Sequence, residues 1–537
     1  MRSDTPAAPR LLPDLLDALR DDLLKAQYTV ERTEELLGEV AAAALRREDP
    51  VPARSALAPL EDPAATLLSL FTLGSTISRE QVAHALPTLG AEGACGLGLL
   101  AGTGAGMRAL VELAPYSAQD DQGPISWWIA SDLSELATGT ALHPDHVLGV
   151  GGASVTLARI TPRERVGRVL DVGCGSGIQA HHASRHAEHV VATDLSERAL
   201  AFAAFNATLN QVEVELRPGS LLEPVAGETF DLIVSNPPFV ITPRGSTDEH
   251  TGRAEAGQGT TVADGAEVSD GADETWTYRD GGRAGDTLLA ELLGALPEHL
   301  APGGTAVMLG NWERSGIEEW DTHPRAWLAA AQAGGLDCWV IQRESEDPAQ
   351  YAETWVRDGG ITPRDQAWPG LIDAWLADFA SRDVRDIGFG YVLLRRPDSP
   401  TARPGTLRSE QATGTGSGSL STHLAAGLRM IESLTQLDDE ELAATRPRRA
   451  GDLMERRHLV PGAWDPTLIE LVQGAGLARI LPADQALAAT VGALDGTLTL
   501  GQTIAAVCAL TDADPAQTRE RLLPQVRELL ITGMLTL

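Results

Sequence analysis

Apolar positions recur at helical spacing over residues 14–47, in DLLDALRDDLL and then VERTEELLGEVAAAALRRE, with charges between them. That period predicts two amphipathic helices. Short helices continue over 64–90, where Ser78 and Gln81 stand at the spacing of a capping box. The stretch RALVELAPYSAQDDQGPISWWIASDL places two β-type runs around a polar turn, which predicts a hairpin. Helices followed by a hairpin outline a helical, winged-helix-like N-terminal domain over 1–145. Its second helix is not basic, so a cap over a neighbouring domain is expected rather than a DNA reader.

The pattern changes over 146–400. RVLDVG, HVVATD, VEVELR, DLIVSN and TAVMLG are short β-rich runs, and GIQAHHASRHA, SERALAFAAFNATL and DTLLAELLGALPEHL between them read as helices. This alternation predicts an α/β domain with a parallel sheet covered on both faces. LDCWVIQR and FGYVLLRR add two edge strands, and 348–385 between them reads as a helical insertion. Residues 244–275 lack large apolar side chains, which predicts a mobile loop. TGTGSGS within 401–420 has linker composition. Residues 421–537 read as mostly helical, a second winged-helix-like domain.

The 537 residues are 43% apolar and 22% charged, which is globular composition for several cores. Asp and Glu number 75 against 42 Lys and Arg, a net charge of −33. Such a chain does not hold nucleic acid by a general basic surface. Cys95, Cys174, Cys338 and Cys508 are scattered, with neither disulfide-framework nor zinc spacing. No apolar run has the length of a membrane span, and the N-terminus lacks the apolar core of a signal peptide. A cytoplasmic location is the expectation. Lys25 is the only lysine.

The chemistry concentrates in VLDVGCGSGIQA. A strand ends at Asp171, and Gly173, Gly175 and Gly177 follow at alternate positions before a helix. Glycines allow a sharp turn and close approach to a ligand, and a helix start offers free N–H groups. A dinucleotide fingerprint requires glycine where Ile178 stands, so a dehydrogenase is disfavoured. Asp194 closes the next strand, where an acid can accept hydrogen bonds from ribose hydroxyls or cap the following helix. DLIVS then runs into Asn236, Pro237, Pro238 and Phe239. The prolines fix φ and remove two donors, leaving the Pro237 carbonyl and the Asn236 side-chain oxygen as acceptors. Two acceptors facing one pocket suit the NH2 of a planar amide or base, and Phe239 can stack on it.

Together these residues resemble the class I S-adenosyl-L-methionine-dependent methyltransferases, in the branch with an N/D-PP-Y/F motif. That branch methylates planar nitrogens: glutamine amides of release factors or ribosomal proteins, and amino groups of adenine or guanine. The resemblance covers about 150–400. It implies a Rossmann-like sheet of seven strands with the last antiparallel. It further implies that Asp171, Gly173, Cys174, Gly175 and Gly177 bind the methionine end of the cofactor. Asp194 and Leu195 would then lie at the ribose, Ser220 and Leu221 beside the adenine, and Asn236 between cofactor and acceptor. Many relatives carry an acid in the 219–222 turn, and this chain has Gly219, Ser220 and Leu221 there. The reaction implied is displacement at a sulfonium methyl, which needs positioning more than a strong base.

Other residues carry less. The segment from Trp276 to Asp280 follows the acidic stretch, and its Tyr278 and Arg279 could close over an acceptor or belong to a helix N-terminal turn. His181, His182, His186 and His189 share one helix, and the 182/186 pair has ligand spacing without an evident carboxylate or Cys partner, so no metal is expected. Asn311, Trp312 and Glu313 follow a strand and suggest packing or a pocket rim. Arg446, Arg448, Arg449, Arg456 and Arg457 form a basic cluster that could touch RNA phosphates or an acidic protein, or be a solvated helix face. Eight acids against two arginines over 244–274 favour a protein acceptor over a nucleic acid. A binding or regulatory protein with an inactive core is a third reading, which the intact motifs oppose.

Overall fold

The structure, a computed structural model, describes residues 7–120, 122–140, 142–143, 145–238, 240–243, 285–399 and 404–537. The predicted loop over 244–275 lies outside the described residues, as do Phe239, Trp276, Tyr278, Arg279 and Asp280.

Helices α1 (Pro13–Lys25), α2 (Val30–Leu45), α3 (Val51–Leu57), α4 (Pro63–Phe71), α5 (Arg79–Ala85) and α6 (Gly90–Gly96) open the chain. Two hairpins follow, β1 (Leu100–Thr103) with β2 (Gly106–Ala109) and β3 (Glu112–Asp120) with β4 (Gly123–Ser131). The second is the expected hairpin; the first is additional. Ser78 and Gln81 form the capping box that starts α5. The core of this part includes Leu16, Leu19, Leu23, Tyr28 and Phe71.

After α7 (Glu135–Thr138) and α8 (Gly152–Ile160) the central sheet begins. Its elements are β5 (Val166–Val172), α9 (Ile178–Ser184), β6 (Ala187–Asp194), α10 (Glu197–Leu209), β7 (Glu215–Pro218) and β8 (Phe230–Ser235). Then come α11 (Thr287–Ala295), β9 (Leu300–Ser315), α12 (Thr322–Ala333), β10 (Asp337–Glu346), α13 (Pro348–Asp358), α14 (Trp368–Ser381), β11 (Val384–Arg395) and β12 (Leu407–Gln411). The strand order is β12-β10-β11-β9-β8-β5-β6-β7, and β11 runs against the other seven. This is the α/β Rossmann-like sheet that the resemblance implies, with one strand more than expected. The eighth, β12, comes from the 401–420 stretch that composition alone makes a linker.

Alternation explains why these strands read as continuous apolar runs. Val169, Ala192, Leu232 and Val307 face one core; Leu170, Val191, Ile233 and Met308 face the other. A strand buried on both sides has no polar face. Helices α8 and α9 cover the first face, and α11 and α12 the second.

The last part holds α15 (Leu420–Thr435), α16 (Asp439–Ala444), β13 (Arg448–Arg449), β14 (Leu453–Leu459), β15 (Pro466–Gln473), β16 (Ile480–Ala483), α17 (Gln485–Ala493), α18 (Leu500–Thr511), α19 (Pro515–Ile531) and β17 (Leu535–Thr536). It is less helical than expected, because β14, β15 and β16 form an antiparallel sheet. Arg448, Arg449, Arg456 and Arg457 therefore sit on strands and not on a helix face. Helix α15 packs into the central sheet: Leu424, Leu428 and Ile431 share a core with Trp339. A Cβ on Gly427 would stand 2.6 Å from the Trp339 ring, so only glycine allows this approach. Among the described residues no helix is long and apolar enough to cross a membrane.

Candidate active site

The chain passes from β5 outward to β6 and β7, then returns to β8 on the other side of β5. A crevice opens at such a switch, at the carboxyl ends of the strands. In the β5–β8 register Val172 lies opposite Ser235. Gly173 and Asn236 therefore leave neighbouring strands at the same level. Ser235 fixes that level, because its buried Oγ donates to the Val172 carbonyl at 2.8 Å.

On the β5 side, Gly173, Gly175 and Gly177 adopt φ of 71°, 52° and 88°. These left-handed values are strained for any residue with a Cβ. A Cβ on Gly173 or Gly175 would meet nothing within 4 Å, so the turn faces open space; at Gly177 it would touch Ala203 at 3.2 Å. The amides of Gly173 and Cys174 both donate to the Thr193 carbonyl, at 2.9 and 3.0 Å, which draws the turn over the end of β6. Cys174 is buried, and burial pushes its thiol well above the usual range. It is a packing group rather than a nucleophile.

Asp171 is buried, and its Oδ2 accepts the Ala180 N–H at 2.9 Å. It thus uses one of the donors at the start of α9 that the sequence suggests for a ligand. Burial raises its carboxyl pKa to about 7, offset in part by that hydrogen bond. Asp194 uses both oxygens: Oδ2 accepts the Gly175 amide at 2.9 Å, and Oδ1 the Ser196 amide at 2.8 Å. It therefore holds the turn and the residue that starts α10, while the helix itself is capped by Ser196, whose Oγ accepts the Ala199 amide at 3.2 Å. Burial raises its pKa as well. Leu195 beside it is 74% exposed. The 219–222 turn closes on the same place. The Gly219 amide donates to the Asp194 carbonyl at 3.0 Å, and Thr193 Oγ1 to the Leu221 carbonyl at 3.2 Å. Leu221 has φ 49°, and Ser220 lies half-buried between these anchors.

On the β8 side, Asn236 Oδ1 is buried and has no hydrogen-bond partner among the described residues. An orphaned buried carbonyl oxygen costs free energy unless something else satisfies it. Pro237 is buried and Pro238 half-buried. The segment just beyond is held from the insertion: Tyr351 Oη on α13 accepts the Ile241 amide at 3.0 Å and Asn311 Nδ2 at 2.6 Å. Val240 and Ile241 pack with Tyr351, Trp375 and Phe379. Asn311, Trp312 and Glu313 lie within β9 and are buried. Glu313 is bonded by Arg382 Nη2 at 2.7 Å.

One further side chain at the site, Asn206, escaped the sequence reading, and of the four histidines expected on one helix only His181 and His182 lie on α9. Asn206 on α10 donates to the Ser176 carbonyl inside the glycine turn at 2.9 Å. His181 Nδ1 lies 2.7 Å from the Gly177 carbonyl, and burial holds its ring neutral. His182, pushed down to about 3 by burial, is 2.8 Å from Tyr116 Oη. The only sequence signal for Asn206 was a polar residue after the apolar run ALAFAAF, repeated four positions on by Asn210.

Residues 149–250 match a family described as the methyltransferase small domain. The matched stretch takes in β5, the glycine turn and the Asn236 corner. Residues 25–110 match a domain of unknown function, DUF7059. Release factor glutamine methyltransferase of Xylella fastidiosa is 34% identical over 173 residues, 32% of this chain and 56% of that protein. Ribosomal RNA small subunit methyltransferase C of Escherichia coli is 40% identical over 90 residues, 16% of this chain and 26% of that protein. The chain spans about half the length of the release factor relatives. Among solved structures, the ribosomal protein L11 methylase of Lactobacillus delbrueckii subsp. bulgaricus is 18% identical, with a TM-score of 0.24, covering 47% of this chain and 81% of that one.

Proposed function

We propose that this chain is an S-adenosyl-L-methionine-dependent N-methyltransferase acting on a planar amide or amino nitrogen, with a glutamine side chain of a release factor or ribosomal protein as acceptor. The observation that carries the reading is Asn236 Oδ1, buried and unpartnered among the described residues and set level with an open glycine turn across the β5–β8 switch. The residues fit the cofactor. Gly173 and Gly175 leave space that side chains would fill, and Asp194 retains acceptor capacity for ribose hydroxyls beyond its two backbone bonds.

When bound, S-adenosyl-L-methionine supplies an electrophilic methyl group. Asp171 and the turn Gly173–Gly177 would hold its methionine end, Asp194 and Leu195 its ribose, and Ser220 and Leu221 would line its adenine. Asn236 Oδ1 and the Pro237 carbonyl would accept the two hydrogens of the acceptor NH2. That pinning turns the nitrogen lone pair toward the methyl carbon and away from conjugation. Pro237 and Pro238 offer no N–H, so the corner presents acceptors and cannot bind the nitrogen the wrong way round. Phe239 would stack on the acceptor plane. Transfer to the pinned nitrogen would release one of its protons to water, so the chain's residues need supply no strong base.

The acidic balance and the acids over 244–274 support a protein acceptor over a phosphate-bearing one. In the same reading, residues 1–145 and 421–537 are accessory domains flanking the methyltransferase domain of 146–400. The test incubates the full chain with methyl-labelled S-adenosyl-L-methionine and cell extract, followed by protease or ribonuclease. Label lost to protease and resistant to ribonuclease is expected. The reverse moves the acceptor to a base amino group of RNA, RNA being the substrate class in the Escherichia coli relative's name.

A further inference from the structure

Strand β4 pairs with β3 along one edge, and its other edge meets a helix. Asn206 lies in the last turn of α10, and Asn210, four residues on, is its C-terminal capping residue, so the two stand on one face. Asn210 Oδ1 accepts the Trp128 amide at 3.0 Å, and its Nδ2 donates to the Trp128 carbonyl at 2.8 Å. Asn206 repeats the pattern two residues along, accepting the Ala130 amide at 2.7 Å and donating to the Ala130 carbonyl at 2.9 Å. Two carboxamides thus stand in for a neighbouring strand and satisfy the free edge of the hairpin.

The two asparagines differ in one bond. The second Nδ2 hydrogen of Asn210 goes to the carbonyl of Asn206, within the helix, at 2.9 Å. That of Asn206 goes to Ser176, between Gly175 and Gly177, at 2.9 Å. The other side of the hairpin reaches the same turn by packing. Ile125, Trp127 and Ile129 form a buried cluster with Ile178, the first residue after it. A turn of three left-handed glycines is costly to order, and fixing one of its carbonyls leaves less ordering for a ligand to impose.

We propose that Asn206 is a positioning residue for the cofactor turn, and that through it the hairpin of the N-terminal domain is a structural part of the cofactor site. The proposal rests on that turn being the S-adenosyl-L-methionine site. Asn210 supplies the control, because it holds the hairpin without touching the turn.

The experiment is calorimetric titration of the full chain with S-adenosylhomocysteine. Asn206→Ala is expected to weaken affinity roughly tenfold, and Asn210→Ala less than about threefold, although both loosen the hairpin. A second measurement needs no variant. In the wild-type chain, saturating S-adenosylhomocysteine should slow hydrogen exchange at the Ala130 amide, which Asn206 holds. Equal affinity losses in the two variants, or ligand binding that leaves Ala130 exchange unchanged, overturns the proposal while the cofactor reading stands. A wild-type chain that takes up no S-adenosylhomocysteine overturns both.

Discussion

The carboxylate of Asp194 holds the amide of Gly175 at 2.9 Å, so the acid that ends one strand fixes the turn that ends its neighbour. Its other oxygen takes the Ser196 amide, which starts α10. Asp194→Ala removes two charge-assisted bonds, at a cost of about 1–3 kcal/mol in urea unfolding. S-adenosylhomocysteine affinity should fall by more than roughly tenfold, since the ribose acceptor and the turn geometry are lost together. A variant that unfolds earlier but binds normally would confine Asp194 to structure.

Gly173 and Gly227 share a left-handed backbone, with φ of 71° and 80°, and neither has an atom within 4 Å of an added Cβ. Alanine at either position should cost about 1 kcal/mol of stability. Only at Gly173 would the new methyl enter the crevice. Gly173→Ala should therefore weaken S-adenosylhomocysteine binding, and Gly227→Ala should leave it unchanged, as read by calorimetry.

Asp171 gives a pH signature. Its folded pKa of about 7 lies above the ordinary carboxyl value. Between about pH 4 and pH 7 the folded chain keeps a proton that the unfolded chain releases. This group's contribution to stability therefore falls as pH rises through that window, by about 1.4 kcal/mol for each pH unit crossed, and levels off above it. Asp171→Asn keeps an oxygen for the Ala180 amide and lacks the titration. The variant should thus gain stability relative to wild type at about pH 8 compared with about pH 5, measured by urea midpoints.

Tyr351 Oη satisfies Ile241 and Asn311 at once. Tyr351→Phe keeps the ring packed among Trp375 and Phe379 and leaves two buried donors unpaired. A loss of about 1–3 kcal/mol is expected. Because the anchored segment follows the proline corner, transfer to the acceptor should fall while S-adenosylhomocysteine affinity holds.

What the sequence displays depends on how local the cause is. Asp171, the three glycines, Asp194 and the Asn236–Pro238 corner sit at strand ends, where residue type and backbone need coincide within a few positions. The strands themselves were legible because burial on both faces makes them uniformly apolar. Strand β12, LRSEQ, was not: its Arg408 bonds Glu528 at 2.6 Å and its Glu410 bonds Arg479 at 2.8 Å, partners about 70 to 120 residues away. Strand β14, LMERRHL, is exposed over most of its length, so its sequence has no buried face to report. Asn206 and Tyr351 escaped for a similar reason. Their partners Ala130 and Ile241 lie 76 and 110 residues away, and nothing in the intervening sequence marks the pairing.

The central claim is that Asn236 serves the acceptor and the glycine turn serves the cofactor. Measuring S-adenosylhomocysteine affinity and methyl transfer in Asn236→Ala tests it most directly. Affinity within about threefold of wild type, with transfer reduced at least roughly a hundredfold, is the predicted result. Affinity lost in the same proportion as transfer, or transfer retained, would contradict it.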